Sequence, residues 1–353
     1  MFNILSQKKQ SVGLDIGSSS LKAVELRSTR KGCFELVGMG FEELSPDYIV
    51  DGAILDKNSV ADAINRIFAH EHIKNNRVAT SISGHSVIVK KISVVAQQEA
   101  DLAEAIHWEA EQYIPFDIAD VNIDYQILGE DDIDGKWNVL LVAVKKEKIQ
   151  DYTQVLTLAG KVPALVDVDA FALQNAYEFN YEPAGNTTAA LLDIGSTTMT
   201  INIVSGTEFL FTRDVSVGGH NYTEFLQKEF NLNYDTAQHL KHGEKVGTIS
   251  DDDAAHVIDS VTEIICMEIQ KTFDFFKHNS TVENIDRMLV SGGAAHTPGL
   301  IDALGRKFEI PVEIFNSFRK ITADPRQFST PMLEDQAPDM AIAVGLALRS
   351  AEA

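Results

Sequence analysis

Two short aspartate-glycine segments hold the residues of this chain best suited to chemistry. Leu14-Asp15-Ile16-Gly17-Ser18-Ser19-Ser20 recurs about half a chain later as Leu192-Asp193-Ile194-Gly195-Ser196-Thr197-Thr198. A glycine at a tight turn lets the backbone approach a phosphate closely. The successive N–H groups there form an anion-binding concavity, and the serine and threonine hydroxyls add donors. Asp15 and Asp193, just before the glycines, are placed to hold Mg²⁺ through its waters, since this ion usually takes one or two carboxylates plus substrate phosphates. Two such segments facing each other would pinch a polyphosphate. One D-x-G-S alone reads better as an ordinary tight turn; two near-identical copies reverse that preference.

Two further glycine clusters bear on the same chemistry. Leu289-Val290-Ser291-Gly292-Gly293-Ala294 follows an apolar strand pattern and leads toward Pro298-Gly299 and a helical stretch, a junction that fits backbone packed against a ribose or α-phosphate. Alone it is a weak signal, because many strand-to-helix turns are glycine-rich. Gly218-Gly219-His220-Asn221 precedes a helical pattern from Tyr222 to Phe230 and either caps that helix or borders the same cleft, with a loop or cap role favoured for His220.

The elements that must position these residues follow from the hydrophobic pattern. Each Asp-Gly segment is followed by alternating residues, Leu21 to Leu26 in one copy and Met199 to Val204 in the other, so each reads as strand, tight turn, strand. A repeat this far apart is no solenoid period; it implies two related domains, each opening with the same hairpin. The rest alternates helical and strand patterns, giving an α/β chain. Val60, Ile64 and Ile67 mark a helix over Val60 to His70, and Arg77 to Ser83 and Val87 to Val95 read as strands. A helix is expected from Glu99 to Tyr113, followed after Pro115 by the strand Val121, Ile123, Tyr125, Ile127. An acidic turn over Glu130 to Gly135, a strand over Val139 to Val144 and a helix stopping at Gly160 come next. This helix, hairpin, helix run reads as an inserted subdomain. Val261, Ile265, Ile269, Phe273 and Phe276 lie along one long amphipathic helix.

Length and composition set the outer bounds. At about 150 residues per domain, 353 residues imply roughly two domains. Charged residues at 23% and hydrophobic residues at 44% are those of a folded protein and exclude disorder as the main state. Fifty-two acidic against 30 basic side chains leave a net charge of −22, which opposes non-specific attraction to nucleic acid or anionic lipid. Cys33 and Cys266 have no spacing that suggests a disulfide framework or zinc knuckle, so a reduced cytosolic setting is expected. The start, from Met1 to Lys9, lacks the order of a secretory signal. No apolar run approaches the roughly 20 residues that span a bilayer, so direct membrane insertion is not expected.

In this order, two phosphate hairpins, a connecting helix and a late Gly-Gly turn resemble the actin, Hsp70 and sugar-kinase superfamily of ATP-binding folds. Within it, Ile106-His107-Trp108-Glu109-Ala110-Glu111-Gln112-Tyr113-Ile114-Pro115-Phe116, Asp124-Tyr125-Gln126 and Val139-Leu140-Leu141-Val142-Ala143 resemble the PilM family of type IV pilus assembly components. The similarity covers nearly the whole chain, and the Trp-Glu-Ala-Glu to Ile-Pro-Phe stretch is its most specific part. The cell-division protein FtsA is similar in placing a subdomain at this position.

The resemblance implies a bilobed actin-like ATPase fold, α/β in class, of two ribonuclease H-like domains with an FtsA-type, SHS2-like insert. The first lobe would span 1–90, continued by 161–188 and a C-terminal helix over 338–353. The insert would span 91–160 and the second lobe 189–337, with 212–280 as its smaller subdomain. It further implies that Asp15, Gly17, Ser18, Ser19 and Lys22 form the first phosphate segment, that Asp193, Gly195, Ser196, Thr197 and Thr198 form the second, and that Gly292 and Gly293 meet the adenosine. Ala237-Gln238-His239-Leu240-Lys241 lies where relatives often show Ala-Glu-x-x-Lys. Lys241 would border the nucleoside there, and Gln238 offers a neutral rather than charge-assisted hydrogen bond. The chain departs from the family at Ser93-Val94-Val95-Ala96, where a Leu-Pro pair is expected.

Asp169, in Val166 to Ala172, falls where actin-like ATPases carry a water-positioning side chain. Its competing role is a helix N-cap before Phe171. ATP and Mg²⁺ are therefore the expected cofactors, with hydrolysis left open. In the insert, Leu102, Ile106, Ala110 and Tyr113 form one apolar stripe that Trp108 cannot share. Trp108 either packs against the neighbouring lobe or lines a docking groove; packing is favoured, with Phe116 covering the same junction.

The resemblance makes the groove between insert and first lobe the seat of the N-terminal cytoplasmic segment of PilN. It implies a cytoplasmic protein held at the inner membrane through that partner and through other inner-membrane pilus assembly proteins, and it allows self-association. The alternatives are a small-molecule kinase of this fold, which needs a base for a substrate hydroxyl, and an FtsA-like division protein, which needs a basic amphipathic C-terminal helix. His70-Glu71-His72 and His239-Leu240-Lys241-His242 read as solvated helix ends rather than metal sites, and Asp251-Asp252-Asp253 as a helix N-terminus.

Overall fold

The computed structural model describes residues 10–30, 32–96, 98–130, 136–282 and 284–352. The first residues, read above for a leader, and Asp131 to Gly135 of the acidic turn lie outside them. The first hairpin is β1 (Val12–Ile16) and β2 (Ser20–Arg30), which pair antiparallel with Ile16 opposite Leu21. β3 (Cys33–Glu43) extends it, and β4 (Ile49–Val50) and β5 (Ala53–Ile54) make a small ribbon. α1 (Lys57–His70) starts where Asp56 accepts the Ser59 N–H at 3.0 Å, and it buries Val60, Ile64 and Ile67 as their spacing requires. β6 (Arg77–Ile82) then lies parallel to β1.

The chain next builds a separate sheet from β7 (Val87–Val94), β8 (Val121–Glu130) and β9 (Trp137–Lys145), in the order β7-β9-β8. α2 (Leu102–Ala110) covers it with Leu102 and Ile106 packed among Ile92, Val94, Val139 and Leu141. The helix expected to reach Tyr113 ends at Ala110, whose carbonyl accepts both the Tyr113 and Ile114 N–H groups at 3.0 Å. Pro115 then has no N–H with which to continue it.

α3 (Lys146–Leu158) stops at Gly160, which takes φ +67°, as expected. Its buried Tyr152, Val155 and Leu156 join Val60, Ile64 and Val78 in the core beneath the first sheet. The packing thus draws α3 to the first sheet and β7 to the inserted one, whereas the sequence pattern grouped α3 with the insert and divided the chain at 91.

β10 (Val162–Val168) runs parallel on β6, and α4 (Asp169–Tyr181) follows it. The second hairpin is β11 (Thr188–Ile194) and β12 (Met199–Ser205), extended by β13 (Glu208–Val215). α5 (Gly219–Phe230), α6 (Tyr234–Lys241) and α7 (Asp251–Asn279) come next. All five periodic residues of α7 from Val261 to Phe276 are buried, and Ser250 caps its acidic first turn. β14 (Arg287–Ser291), α8 (Leu300–Phe308), β15 (Val312–Ile314), β16 (Thr322–Ala323), α9 (Thr330–Gln336) and α10 (Ala341–Glu352) complete the chain.

The two large sheets run β10-β6-β1-β2-β3-β16 and β13-β12-β11-β14-β15. β16 returns to the first sheet beside β3, although it lies in the stretch expected to be second lobe. One core joins both sheets: Val24 and Leu36 meet Leu191, Val204 and Leu289 through Ala172, Tyr177 and Phe315. α10 closes the first sheet against α4. The approach is so tight that a Cβ on Gly345 would lie 1.7 Å from the Ala172 carbonyl oxygen, and one on Gly13 2.0 Å from that of Ala343.

Candidate functional site: a cleft between the two hairpin turns

The two Asp-Gly turns face each other across a cleft of about 700 Å³. Each closes in the same way: the Gly17 N–H donates to Ser20 O at 3.1 Å and the Gly195 N–H to Thr198 O at 3.0 Å. Their hydroxyls meet, with Ser18 Oγ 3.0 Å from Thr197 Oγ1. Ser19, Ser196 and Thr198 line the same space.

The carboxylates behind the turns are held differently. Asp15 Oδ2 lies 3.2 Å from Lys22 Nζ. Burial opposes the charge on Lys22, but Asp15, Asp339 and Asp193 outweigh it and raise its pKa. Asp193 accepts the Ser291 hydroxyl at 2.8 Å, and burial together with the charge of Asp15 pushes its pKa up to about 6. Two desolvated carboxylates beside opposed N–H and hydroxyl donors suit a hard cation that keeps some of its waters and is shared with phosphate. Among the described residues no three His, Cys, Asp or Glu side chains converge on a direct metal site. His70 and His239 instead pair with Glu71 and Glu244 at the surface.

The glycines act through close approach. The Gly219 N–H donates to Gly195 O at 2.8 Å and the His220 N–H to Ser196 O at 2.7 Å, so the start of α5 pins the second turn. Gly219 lines the cleft, whereas Gly218 does not: it sits behind the turn, where a Cβ would come 2.5 Å from Gly195 O. Its part is to let α5 reach the turn. Gly292 has φ +82° and would clash at 2.5 Å with Ile194 O if it carried a Cβ; with Gly293 it borders the cleft.

Asp169 lines the cleft as the first residue of α4, and the N-cap position before it is held by Val168, which removes the N-cap reading. Burial and the charge of Asp15 push its pKa up to about 7, with the nearby Ser81 and Ser83 hydroxyls pulling the other way. Ser81 is buried and lines the cleft beside Asp169.

On the far side, α6 contributes Lys241, which is buried and lowered to about 8 by desolvation against the opposing pull of Asp339. The amide of Gln238 donates to Tyr234 OH at 2.6 Å and accepts from Thr223 Oγ1 at 3.3 Å, so it orders the wall as well as facing the cleft. The sequence pattern missed Asp339, His296, Lys148, Ser81 and Ser83. Asp339 accepts from or pairs with His296 Nε2 at 3.0 Å and lies just ahead of α10. An acid at the start of an otherwise apolar helix was its one visible signal.

A second cavity, about 450 Å³, lies between the inserted sheet and β10–α4, with the β12–β13 turn as its rim. Tyr125 and Gln126 of β8, Leu140 and Val142 of β9, and Phe171 of α4 line it. Arg349 of α10 reaches it, 3.4 Å from Asp167. The expected packing of Trp108 is overturned: the ring is 66% exposed on the outer face of α2, because the stripe beneath it already fills the insert core. Phe116 is half-buried, with Lys145 Nζ 4.2 Å from its ring centroid. No helix of the described residues is long and apolar enough to cross a membrane.

Residues 13–351 match the family model of type IV pilus assembly protein PilM. A chain of the PilM-PilN type IV pilus biogenesis complex has 26% sequence identity and a TM-score of 0.87, over 98% of this chain and 100% of that one. The ethanolamine utilization protein EutJ from Carboxydothermus hydrogenoformans is 15% identical with a TM-score of 0.58, covering 98% of this chain and 90% of that one. MreB 5 of Spiroplasma citri bound to AMPPNP is 13% identical with a TM-score of 0.54, covering 96% and 95%. These last two share the fold alone, a bilobed actin-like one. The match favours neither the kinase nor the cell-division alternative. The chain belongs to the PilM family of type IV pilus assembly proteins and is an actin-like component of that machinery.

Proposed function

We propose that this protein is a nucleotide-binding docking platform: Mg-ATP in the cleft, and the N-terminal cytoplasmic segment of PilN in the groove beside the insert. The observation that carries the nucleotide half is the pair of matched turns whose Ser18 and Thr197 hydroxyls meet at 3.0 Å. Ser18 and Ser19 on one side and Ser196, Thr197 and Thr198 on the other would hold phosphate oxygens through N–H and O–H donors, with Gly17 and Gly195 closing the turns so that the backbone comes close and Lys22 supplying charge. Asp15 and Asp193 would hold Mg²⁺ through its waters. Gly292, Gly293, Gly219 and Lys241 would border the nucleoside, with Gly218 in support. The bound metal would neutralise phosphate charge; Asp169, with a pKa near neutral, would orient a water or accept its proton if the nucleotide turns over.

The partner half rests on the groove and on the solved relative, which is a complex with PilN. β8 and β10 are both edge strands, and both border the groove. An unpaired edge beside apolar pockets suits an extended peptide, with main-chain hydrogen bonds giving affinity and side-chain pockets giving specificity. PilN would bring the protein to the inner membrane. The insert is then the unit of β7, α2, β8 and β9, clasped between two lobes. Contacts with other inner-membrane pilus assembly proteins and self-association would use other surfaces.

The test is titration of a synthetic PilN N-terminal peptide into the purified protein with and without Mg-ATP, alongside Asp15→Ala and Asp193→Ala. Micromolar peptide binding that responds to ATP only when both aspartates are present supports the platform. ATP binding with no peptide binding under either condition sinks the docking half.

A further inference from the structure

The cleft contains a half-buried cation, Lys148, that belongs to neither hairpin. Lys148 lies in the first turn of α3 and lines the cleft, where Asp169 is the larger of the two carboxylate charges acting on it. Its Nζ donates to the carbonyl oxygen of Gly52, in the β4–β5 turn. The ring of Tyr152 lies 4.9 Å beneath it. Gly52 has φ +72°, a conformation that favours glycine, and a Cβ there would come 2.7 Å from Nζ, so the ammonium sits close against this turn.

The position is short of negative charge. Burial lowers the Lys148 pKa, and the two carboxylates that oppose this are Asp169 and Asp151. Asp151 is already paired with Lys57 Nζ at 2.6 Å. Asp169 is itself pushed toward its neutral form by burial. An ammonium has three donors, and the Gly52 carbonyl takes one. What remains is a pre-positioned, partly desolvated cation that lines the cleft near Asp169 and would gain from an anion.

We propose that Lys148 recognises the terminal phosphate of the bound nucleotide and so distinguishes a nucleoside triphosphate from a diphosphate. This rests on the nucleotide reading of the cleft. The two hairpins grip whatever phosphates are present. Lys148, on a third element, meets only the outermost. The competing role is a brace that ties the β4–β5 turn to α3, indifferent to the nucleotide.

Equilibrium titrations of Mg-ATP and Mg-ADP into the full chain separate these roles, using wild type, Lys148→Met and Lys148→Arg, with the melting temperature of each protein without nucleotide. Loss of one charge-assisted contact predicts that Lys148→Met weakens ATP binding about 10- to 100-fold while ADP binding stays within about 2-fold, and that Lys148→Arg recovers part of the loss. Equal losses for both nucleotides, with a lowered melting temperature, assign the brace and overturn the proposal. Unchanged affinity for both nucleotides overturns it as well. A wild-type protein that binds neither nucleotide removes the cleft reading itself, and this proposal with it.

Discussion

Val168 and Asp169 are consecutive in the chain yet line different cavities: Val168 borders the groove beside the insert and Asp169 the cleft between the hairpins. The strand β10 ends between them, and one peptide unit turns the chain from one wall to the other. Ile82, at the end of the neighbouring β6 and 2% exposed, borders both cavities. The two sites thus share a wall that is close-packed, and such walls shift between discrete arrangements rather than deform smoothly.

A shared wall predicts reciprocal coupling. Mg-ATP is expected to change the affinity for the PilN peptide by at least about 5-fold, and the peptide must change ATP affinity by the same factor. Ile82→Val, which removes one methylene from the wall, should reduce that factor while costing about 0.5–1.5 kcal/mol of stability. Isothermal titrations in both orders measure it; factors of one in both orders would remove the coupling.

The pH dependence of stability follows from the buried carboxylates. Asp169 titrates at about 7 and Asp193 at about 6, both above the ordinary value of 3.8. The folded state binds more protons than the unfolded state between those values, so the stability tied to these groups is fully present below about pH 4 and is lost as pH rises toward 7. Asp169→Asn should therefore melt close to wild type below about pH 4 and increasingly above it as pH rises to 8, at about 2–4 °C for each kcal/mol recovered. The check is thermal denaturation of the nucleotide-free proteins; a difference that stays flat with pH refutes the assignment.

Gly345 and Gly305 are both helical glycines with opposite expected responses to alanine. At Gly345 the new Cβ meets the Ala172 carbonyl oxygen at 1.7 Å, and backbone cannot yield as a side chain can, so Gly345→Ala should cost about 3 kcal/mol or more. At Gly305 the nearest atom is Val312 Cγ2 at 4.0 Å, so Gly305→Ala should stabilise by about 0.5–1 kcal/mol through helix propensity. Urea denaturation of the two variants compares them directly.

Neighbouring positions on α2 make a second contrast. Trp108→Ala should change stability by less than about 0.5 kcal/mol, since the ring is 66% exposed. Ile106→Ala, two residues away and 1% exposed, should cost about 2–5 kcal/mol. A large loss from Trp108→Ala in the same denaturation assay would return that ring to a packing role.

The chain's local order determined a good deal by itself. Twin Asp-Gly turns, alternating strands beside them and the apolar stripe of α7 are short-range patterns, and each is readable because a tight turn or a helix face depends on residues a few positions apart. The family resemblance carried by the stretch from Ile106 to Phe116 lay in the sequence too. What the tertiary structure decided is every relation between distant segments. It brought Ser18 to Thr197, placed at the cleft Lys148 and Asp339, which no motif announces, and put Gly218 behind its turn rather than in the cleft. It drew α3 into the core of the first sheet, because Tyr152, Val155 and Leu156 bury in one cluster with Val60 and Ile64 of α1 and Val78 of β6. Periodicity says that a face is apolar, never which surface will cover it. Among the described residues Trp108 is left 66% exposed, because the stripe on the other side of α2 fills the insert core.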